Sequence, residues 1–550
     1  MRRRTLATVA VAFSTAAAAA AVVLPASALA GEAAYEEAST GLVARAPALT
    51  PATVQSASPA RPRGARRFHL ARPNGAARAL PSVTAATAPA TSAPTQSLLE
   101  NFNGVSSLDS AVTNFGQEFE PPDQGLCAGN GFVVEMVNSA YTVYDDSGKA
   151  LAGPFNVNGP FGEGLTEFTS DPRCYYEPAH HTWIATILGI GKGEESSSLD
   201  IAVNTSGDPR TVWTDYKLDT TDTPKHGGHG KGCPCFGDQP KLGIDASNLY
   251  ITTDEFSILG PQYDGDELYA FALKDIFAGA EALHFAHFSG LKIAGAFASS
   301  VQPAITTEKT SAEYFLQSID PTETAGNSVG VWALTGAKKV AKGGTPVLSS
   351  VVLGSEPFAV PVGAEQKGTA TLIEAGDDRM QQTQFIDGRL WGELGTSLRV
   401  PGEVATRDGA AWFVVEPSLR KGQLGPKTAL AQQGYLATAG GYFIYPALEL
   451  TPNGRGAIVG ALTGAKRFPS AAYATIESAT PALFSPLAVA APGTTNYDQE
   501  GERWGDYSWA VADSAGKSVW LATEYVPPKS SQTTDGKRDW GTRVVQVPTG

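Results

Sequence analysis

Asp238-Gln239-Pro240-Lys241-Leu242-Gly243-Ile244, the turn Asp245-Ala246-Ser247-Asn248 and the return Leu249-Tyr250-Ile251-Thr252 form the stretch that decides the fold. A polar corner containing Pro opens it, an extended run leads to a turn built from Asp, Ser and Asn, and an apolar strand comes back, which is a β-hairpin signature. The same unit recurs seven times. Asp123-Gln124-Gly125-Leu126-Cys127 leads through Gly129-Asn130-Gly131 to Phe132-Val133-Val134, and Asp171-Pro172-Arg173-Cys174 leads through Glu177-Pro178 to Trp183-Ile184-Ala185. Later copies open at Gln302-Pro303, Gln381-Gln382, Tyr445-Pro446 and Trp504-Gly505-Asp506, with corners spaced roughly 48 to 79 residues apart.

Further strand-like runs follow most hairpins, among them Tyr141-Thr142-Val143-Tyr144, Leu199-Asp200-Ile201-Ala202-Val203 and Trp412-Phe413-Val414-Val415. A supersecondary unit returning at this period predicts an all-β, roughly seven-bladed β-propeller over residues 96–550. The last hairpin is followed only by Thr542-Arg543-Val544-Val545-Gln546-Val547, so its blade lacks a fourth strand. Leu98-Leu99-Glu100-Asn101-Phe102 is expected to supply it and close the ring, because an unpaired edge is a liability. Two packed β-sandwiches are the competing architecture. Trp183, Trp391 and Trp520 occupy equivalent return strands and are assigned to packing.

The N-terminus reads as export machinery. Met1-Arg2-Arg3-Arg4, an Ala-rich apolar run and Ala28-Leu29-Ala30 predict a signal peptide over 1–30 and a secreted, extracellular chain. Residues 31–95 are poor in aliphatic periodicity and rich in Ala, Pro and Arg, which predicts a disordered linker. Ten Arg and three Glu precede residue 96, so the remainder is more acidic than the chain's net charge of −14. An acidic body argues against nucleic acid and anionic lipid, and no later segment is apolar for long enough to insert in a membrane. An extracellular glycan or protein is the expected partner, bound by a monomer.

Propeller geometry in general, rather than the spacing, places each unit's first strand on the central channel. The corners Asp123, Asp171, Asp238 and Asp506 then form an acidic arc at the channel mouth, continued by Gln302 and Gln381 or Gln382 and broken at Pro446. Such an arc suits Ca²⁺, which takes oxygen ligands, or carboxylates that shift one another's pKa for acid/base work. The alternative is that each Asp caps its own corner. A second constellation is His226-Gly227-Gly228-His229-Gly230-Lys231-Gly232-Cys233-Pro234-Cys235, where two His and two Cys suggest a metal site. Export favours oxidised sulfur instead, and Cys127, Cys174, Cys233 and Cys235 make two disulfides. Cross-pairing of Cys233 and Cys235 with Cys127 and Cys174 is expected, since a Cys233–Cys235 bridge closes a very small ring.

Cys233-Pro234-Cys235-Phe236-Gly237-Asp238-Gln239-Pro240 and Arg503-Trp504-Gly505-Asp506-Tyr507-Ser508 resemble motifs of uncharacterised bacterial secreted propeller proteins, a likeness that implies fold and no activity. Arg173, Arg379 and Arg503 near three corners are distantly similar to the sialidase-like propellers, whose three Arg clamp a substrate carboxylate. That resemblance implies roles for Tyr507, Glu500, Glu502 and Asp123 in the chemistry, although the family's Arg-Ile-Pro element is absent and its Asp-box repeat is not reproduced. Two functions follow: a secreted propeller binding a glycan or protein at the channel face, with Ca²⁺ as its expected ion, or a glycan-active enzyme, hydrolase or lyase. Candidate catalytic residues are Asp123, Asp171, Asp238, Asp506 and Tyr507; candidate ligand-binding residues are Arg173, Gln239, Gln302, Arg379, Gln382 and Arg503.

Overall fold

The computed structural model describes residues 29–32, 35–46, 97–165, 167–191, 195–223, 233–260, 262–319, 325–498, 503–532 and 538–550. All seven hairpins form antiparallel pairs. Their first strands, Gly125–Gly129, Phe168–Glu177, Cys235–Ile244, Gln302–Pro303, Met380–Ile386, Tyr442–Leu450 and Trp509–Ala512, lie side by side in chain order, and the last packs beside the first. The chain is therefore an all-β propeller around a central channel, and the two-sandwich alternative falls.

The expectation of seven separate blades is corrected. Five sheets are separate blades of four or five strands, while the third and fifth hairpins run into one eleven-stranded sheet. The fusion occurs at Ile305, which pairs in parallel with Ile244 on one side and with Gln384 on the other. The fourth hairpin's first strand is too short and kinked to keep its neighbours apart, spanning only Gln302–Pro303 before Ile305–Thr306 turns to bridge them.

Ring closure occurs as the sequence requires. Glu100–Ser106 pairs with the last strand, Gly541–Pro548, so that Phe102 faces Val544 and the terminal sheet gains its fourth strand. Phe102 then meets Trp520 edge-on at 6.3 Å between centroids. Trp183, Trp391 and Trp520 are all buried. Apolar faces of adjacent sheets fuse into continuous clusters; Leu126, Ile184, Ile244, Val511 and Trp520 belong to one that spans several blades. Two strands come from before residue 46. Leu29–Glu32 pairs with the outer strand Val347–Ala359, and Glu37–Ala44 pairs with Ala282–Ile293. Within the segment read as signal peptide and linker, residues 1–28 and 47–96 lie outside the described residues.

The cross-paired disulfides are also corrected. Cys127 and Cys174 sit on adjacent channel strands with Cα atoms 5.2 Å apart and bond to each other. That leaves Cys233 and Cys235, whose Cα atoms are 4.3 Å apart, bridged together. The neighbouring position of the two channel strands decides the partition, and ring size does not.

Candidate active site

Several channel strands turn from the rim into the ring through a residue in the left-handed region. Asp123 (φ 47°), Asp171 (φ 60°), Gln239 (φ 47°) and Tyr445 (φ 50°) all adopt it. The strand register slips between Ser170 and Arg173, Asp238 and Lys241, and Ile444 and Ala447, which marks β-bulges at these corners. Pro172, Pro240 and Pro446 follow directly, and Pro has no N–H to lose from the ladder at a bulge. Non-glycine residues held at positive φ cost about 1–3 kcal/mol each and cluster where the surroundings over-determine them.

The bulges turn side chains of several blades into one opening. The Asp506 N–H donates to Asp123 Oδ1 at 2.8 Å, and Asn138 Nδ2 donates to Asp123 Oδ2 at 2.7 Å. Asn138 also accepts the Asp171 N–H at 2.7 Å, and Asp171 Oδ2 accepts the Gln239 N–H at 3.2 Å. Asp123, Asp171 and Asp506 are thus joined across three corners, with Asp238 beside Gln239. Asp123 and Asp171 lie buried at the floor, whereas Asp238 and Asp506 are half-exposed at the rim.

Crowded carboxylates in a desolvated ring cannot all ionise. Burial, then Asp506 and Asp171, push Asp123 well above the usual carboxylate range. Asp238 is likewise pushed well up, by burial first and then by Asp171 and Asp254, against the pull of Arg379. Deeper in the wall the buried Lys241 Nζ lies 2.9 Å from Asp254 Oδ2. Burial raises Asp254, yet Lys241 and the neighbouring hydrogen bonds outweigh it and hold that carboxyl low.

The three arginines do not form a free clamp. Arg379 fills its fork with Asp377, Nε to Oδ1 at 2.7 Å and Nη2 to Oδ2 at 2.6 Å, and gives Nη1 to Gln239 Oε1 at 2.7 Å. Arg503 pairs with Asp506 at 2.6 Å and with Glu374 at 3.6 Å. Arg173 is buried beneath the floor, its guanidinium carbon 3.2 Å from the Tyr507 ring centroid and 4.5 Å from that of Trp509. Burial lowers its pKa, opposed by Tyr507, Asp171 and Asp123. Tyr507 is buried as well and donates its hydroxyl to the Pro172 carbonyl at 3.3 Å, so it supports the floor and does not face the opening.

Gln382 is a brace inside the channel. Its Nε2 donates to the Ala510 carbonyl at 2.7 Å and its Oε1 accepts the Ala510 N–H at 3.1 Å, tying two channel strands together. Gln302 and Gln381 are buried in their strands. Glu500, Glu502 and the loop holding His226 and His229 lie outside the described residues. Among the described residues, the groups whose ligand atoms converge closely enough for a metal are Glu118, Glu120 and Asp539, and Cys233, Cys235 and Asp264; the four-Asp arc is neither. Within the arc, the Asp123 carboxylate accepts from Asn138 and the Asp506 N–H, Asp171 accepts the Gln239 N–H, and Asp506 pairs with Arg503.

Sequence reasoning missed Tyr445. It precedes Pro446 as Asp171 precedes Pro172, and the shared corner position was the available signal. Tyr445 is buried, its hydroxyl has no hydrogen-bond partner, and burial, Asp506 and Glu374 raise its pKa against the opposing effect of Arg503. Tyr445 thus places a buried donor without a protein partner beside Asp506, Glu374 and Arg503. Glu374 and Asp377, the carboxylates that hold Arg503 and Arg379, were likewise missed because they precede the fifth hairpin and carry no repeat signal.

No family model matches the chain, and a search of curated proteins finds no match. Solved structures do match. The α-L-arabinofuranosidase of Fusarium graminearum is 11% identical with a TM-score of 0.35, covering 81% of this chain and 98% of its own. The endosialidase of phage phi92 is 9% identical with a TM-score of 0.34, over 68% and 66% of the two chains. The Dos1 propeller is 8% identical with a TM-score of 0.36, over 82% and 83%.

Proposed function

We propose that this chain is a glycan-active enzyme working at the channel mouth, with Asp238 as the proton donor and Asp506 as the partner carboxylate. The observation that carries this is Asp238 itself: a half-exposed carboxyl pushed well up in pKa, with Asp506 among the charges that raise it and Asp506 in turn 2.6 Å from Arg503. Glycosidic bond cleavage needs two carboxyl groups in different roles, one to protonate the leaving oxygen and one to act at the anomeric carbon or activate water. Tyr445 supplies a hydroxyl donor for the substrate beside them.

Asp123 and Asp171 set the electrostatics from the floor, and Arg173 offsets their charge. The crowded carboxylates favour a neutral sugar over an anionic one. Two disulfides support an oxidising, extracellular setting, and no described helix is long and apolar enough to cross a membrane.

Screening the purified chain on a panel of neutral polysaccharides for new reducing ends tests the proposal. Turnover that disappears in both Asp238→Asn and Asp506→Asn, with melting unchanged, is the expected result. Retention on a polysaccharide with no product from the wild type would make it a binding propeller instead.

A further inference from the structure

The Cys233–Cys235 bridge stands at the head of the strand that carries Asp238, and its surroundings are unusual for a structural disulfide. Cys233 Sγ lies 3.7 Å from Asp222 Oδ2 and 3.8 Å from Asp264 Oδ2, and the sulfurs of Cys233 and Cys235 converge with an Asp264 carboxylate oxygen within 4.8 Å of one another. The pairing register adds more charge to the same face. Gly237 opposes Glu255, Thr253 opposes Glu267 and Tyr269 opposes His287, so that Cys235, Glu255, Glu267 and His287 all project from one side of this sheet. Glu255 is buried, and its Oε2 has no hydrogen-bond partner. Disulfide sulfur offers this cluster no positive charge, so the face carries acidic groups in excess.

We propose that Cys233, Cys235 and Asp264 form a redox-gated site for one soft or borderline divalent cation of the zinc and cadmium type. A dithiol reductant passes two electrons and two protons to the bridge; the Cys233–Cys235 bond breaks, two thiols form, and the reductant closes into its own disulfide. The cation then displaces both thiol protons to solvent and is held by two thiolates and the Asp264 carboxylate, with Asp222 adjacent. Two thiolates select a soft or borderline metal over calcium or magnesium. The other disulfide plays no part, since Cys127 and Cys174 are both buried, whereas the Cys233–Cys235 bridge has one partly exposed member, Cys233.

The folded chain, treated with a mild dithiol and freed of it, is titrated with Cd²⁺ while the ultraviolet thiolate-to-cadmium band is followed. Two thiols titratable without denaturant are expected, with a band saturating at one equivalent in the reduced protein and none in the oxidised protein. Losing a metal-site partner typically costs 10–100-fold in affinity, so Asp264→Asn should weaken binding about tenfold or more. Asp264→Asn keeps both sulfurs and is checked for folding by thermal melting. Absence of the band after reduction, or Cd²⁺ bound equally well by Asp264→Asn, overturns the proposal.

Discussion

Replacing Glu135 by Gln gives a stability change whose sign and size follow from the structure. Glu135 is buried in the second strand of the first hairpin unit and accepts the Val105 N–H at 2.8 Å, which ties that unit to the ring-closing strand. Burial, opposed by hydrogen bonds including that from Val105, moves its pKa from 4.5 to about 7. Since each pKa unit is worth about 1.4 kcal/mol, the fold favours the protonated carboxyl by about 3 kcal/mol. Between these pH values the unfolded chain releases the proton while the native one keeps it, so raising the pH favours unfolding. The contribution is complete below pH 4.5 and lost as the pH rises through about 7. Gln keeps an acceptor for Val105 and never ionises. Urea unfolding followed by tryptophan fluorescence should therefore show near-equal stabilities at pH 4.5, and a Gln variant more stable by about 1–3 kcal/mol at pH 8.5, the lower end reflecting its unpaired amide. An equal difference at both pH values would refute the reasoning.

Three further outcomes are expected. Turnover by the wild type should fall on the alkaline side as Asp238 loses its proton, and a pH–rate profile with no alkaline limb would remove Asp238 as the acid. Arg173→Ala leaves Asp123 and Asp171 without their buried cation and should cost about 3–5 kcal/mol in urea unfolding, the usual penalty for breaking a buried charge arrangement; a loss below about 1 kcal/mol would show that Tyr507 and Trp509 alone hold the floor. Removing the Cys127–Cys174 bridge by double substitution to Ala frees a loop of 47 residues and should cost about 2–5 kcal/mol, read by melting with and without reductant.

How much was legible can be judged corner by corner. Asp171-Pro172, Gln239-Pro240 and Tyr445-Pro446 announce their bulges locally through Pro, which abolishes a ladder donor. Their gathering at one mouth, and the closing of the ring by the strand at residues 100–106, followed from repetition. What stayed hidden depends on contacts between units. Ile305 has no local sign of bridging two sheets, and Cys233 has no local sign that Cys127 already sits opposite Cys174. Arg379 and Arg503 looked like substrate ligands because Asp377 and Glu374 belong to no repeat. Glu37–Ala44, Pro-free and partly apolar, looked like linker because the edge it covers, Ala282–Ile293, is over two hundred residues away.

The same corners explain why chemistry would reside at this mouth. A regular strand alternates its side chains between two faces, so it presents few successive polar groups to a channel. A left-handed residue followed by Pro breaks that alternation at several corners, and the ring brings those breaks together. Asp123, Asp171, Gln239 and Tyr445 are thereby all buried at these corners although they are spread over more than three hundred residues. The strain at each corner is held by the bonds between corners, Asp506 to Asp123 and Gln239 to Asp171. Removing one such bond should therefore disturb its neighbours' protonation as well as its own corner, so Asn138→Ala, which frees both Asp123 and Asp171, should shift the alkaline limb of turnover while Asp238 is intact. An unshifted limb would mean that the floor carboxylates act as structure alone and that Asp238 owes its proton to burial and Asp254, against the pull of Arg379.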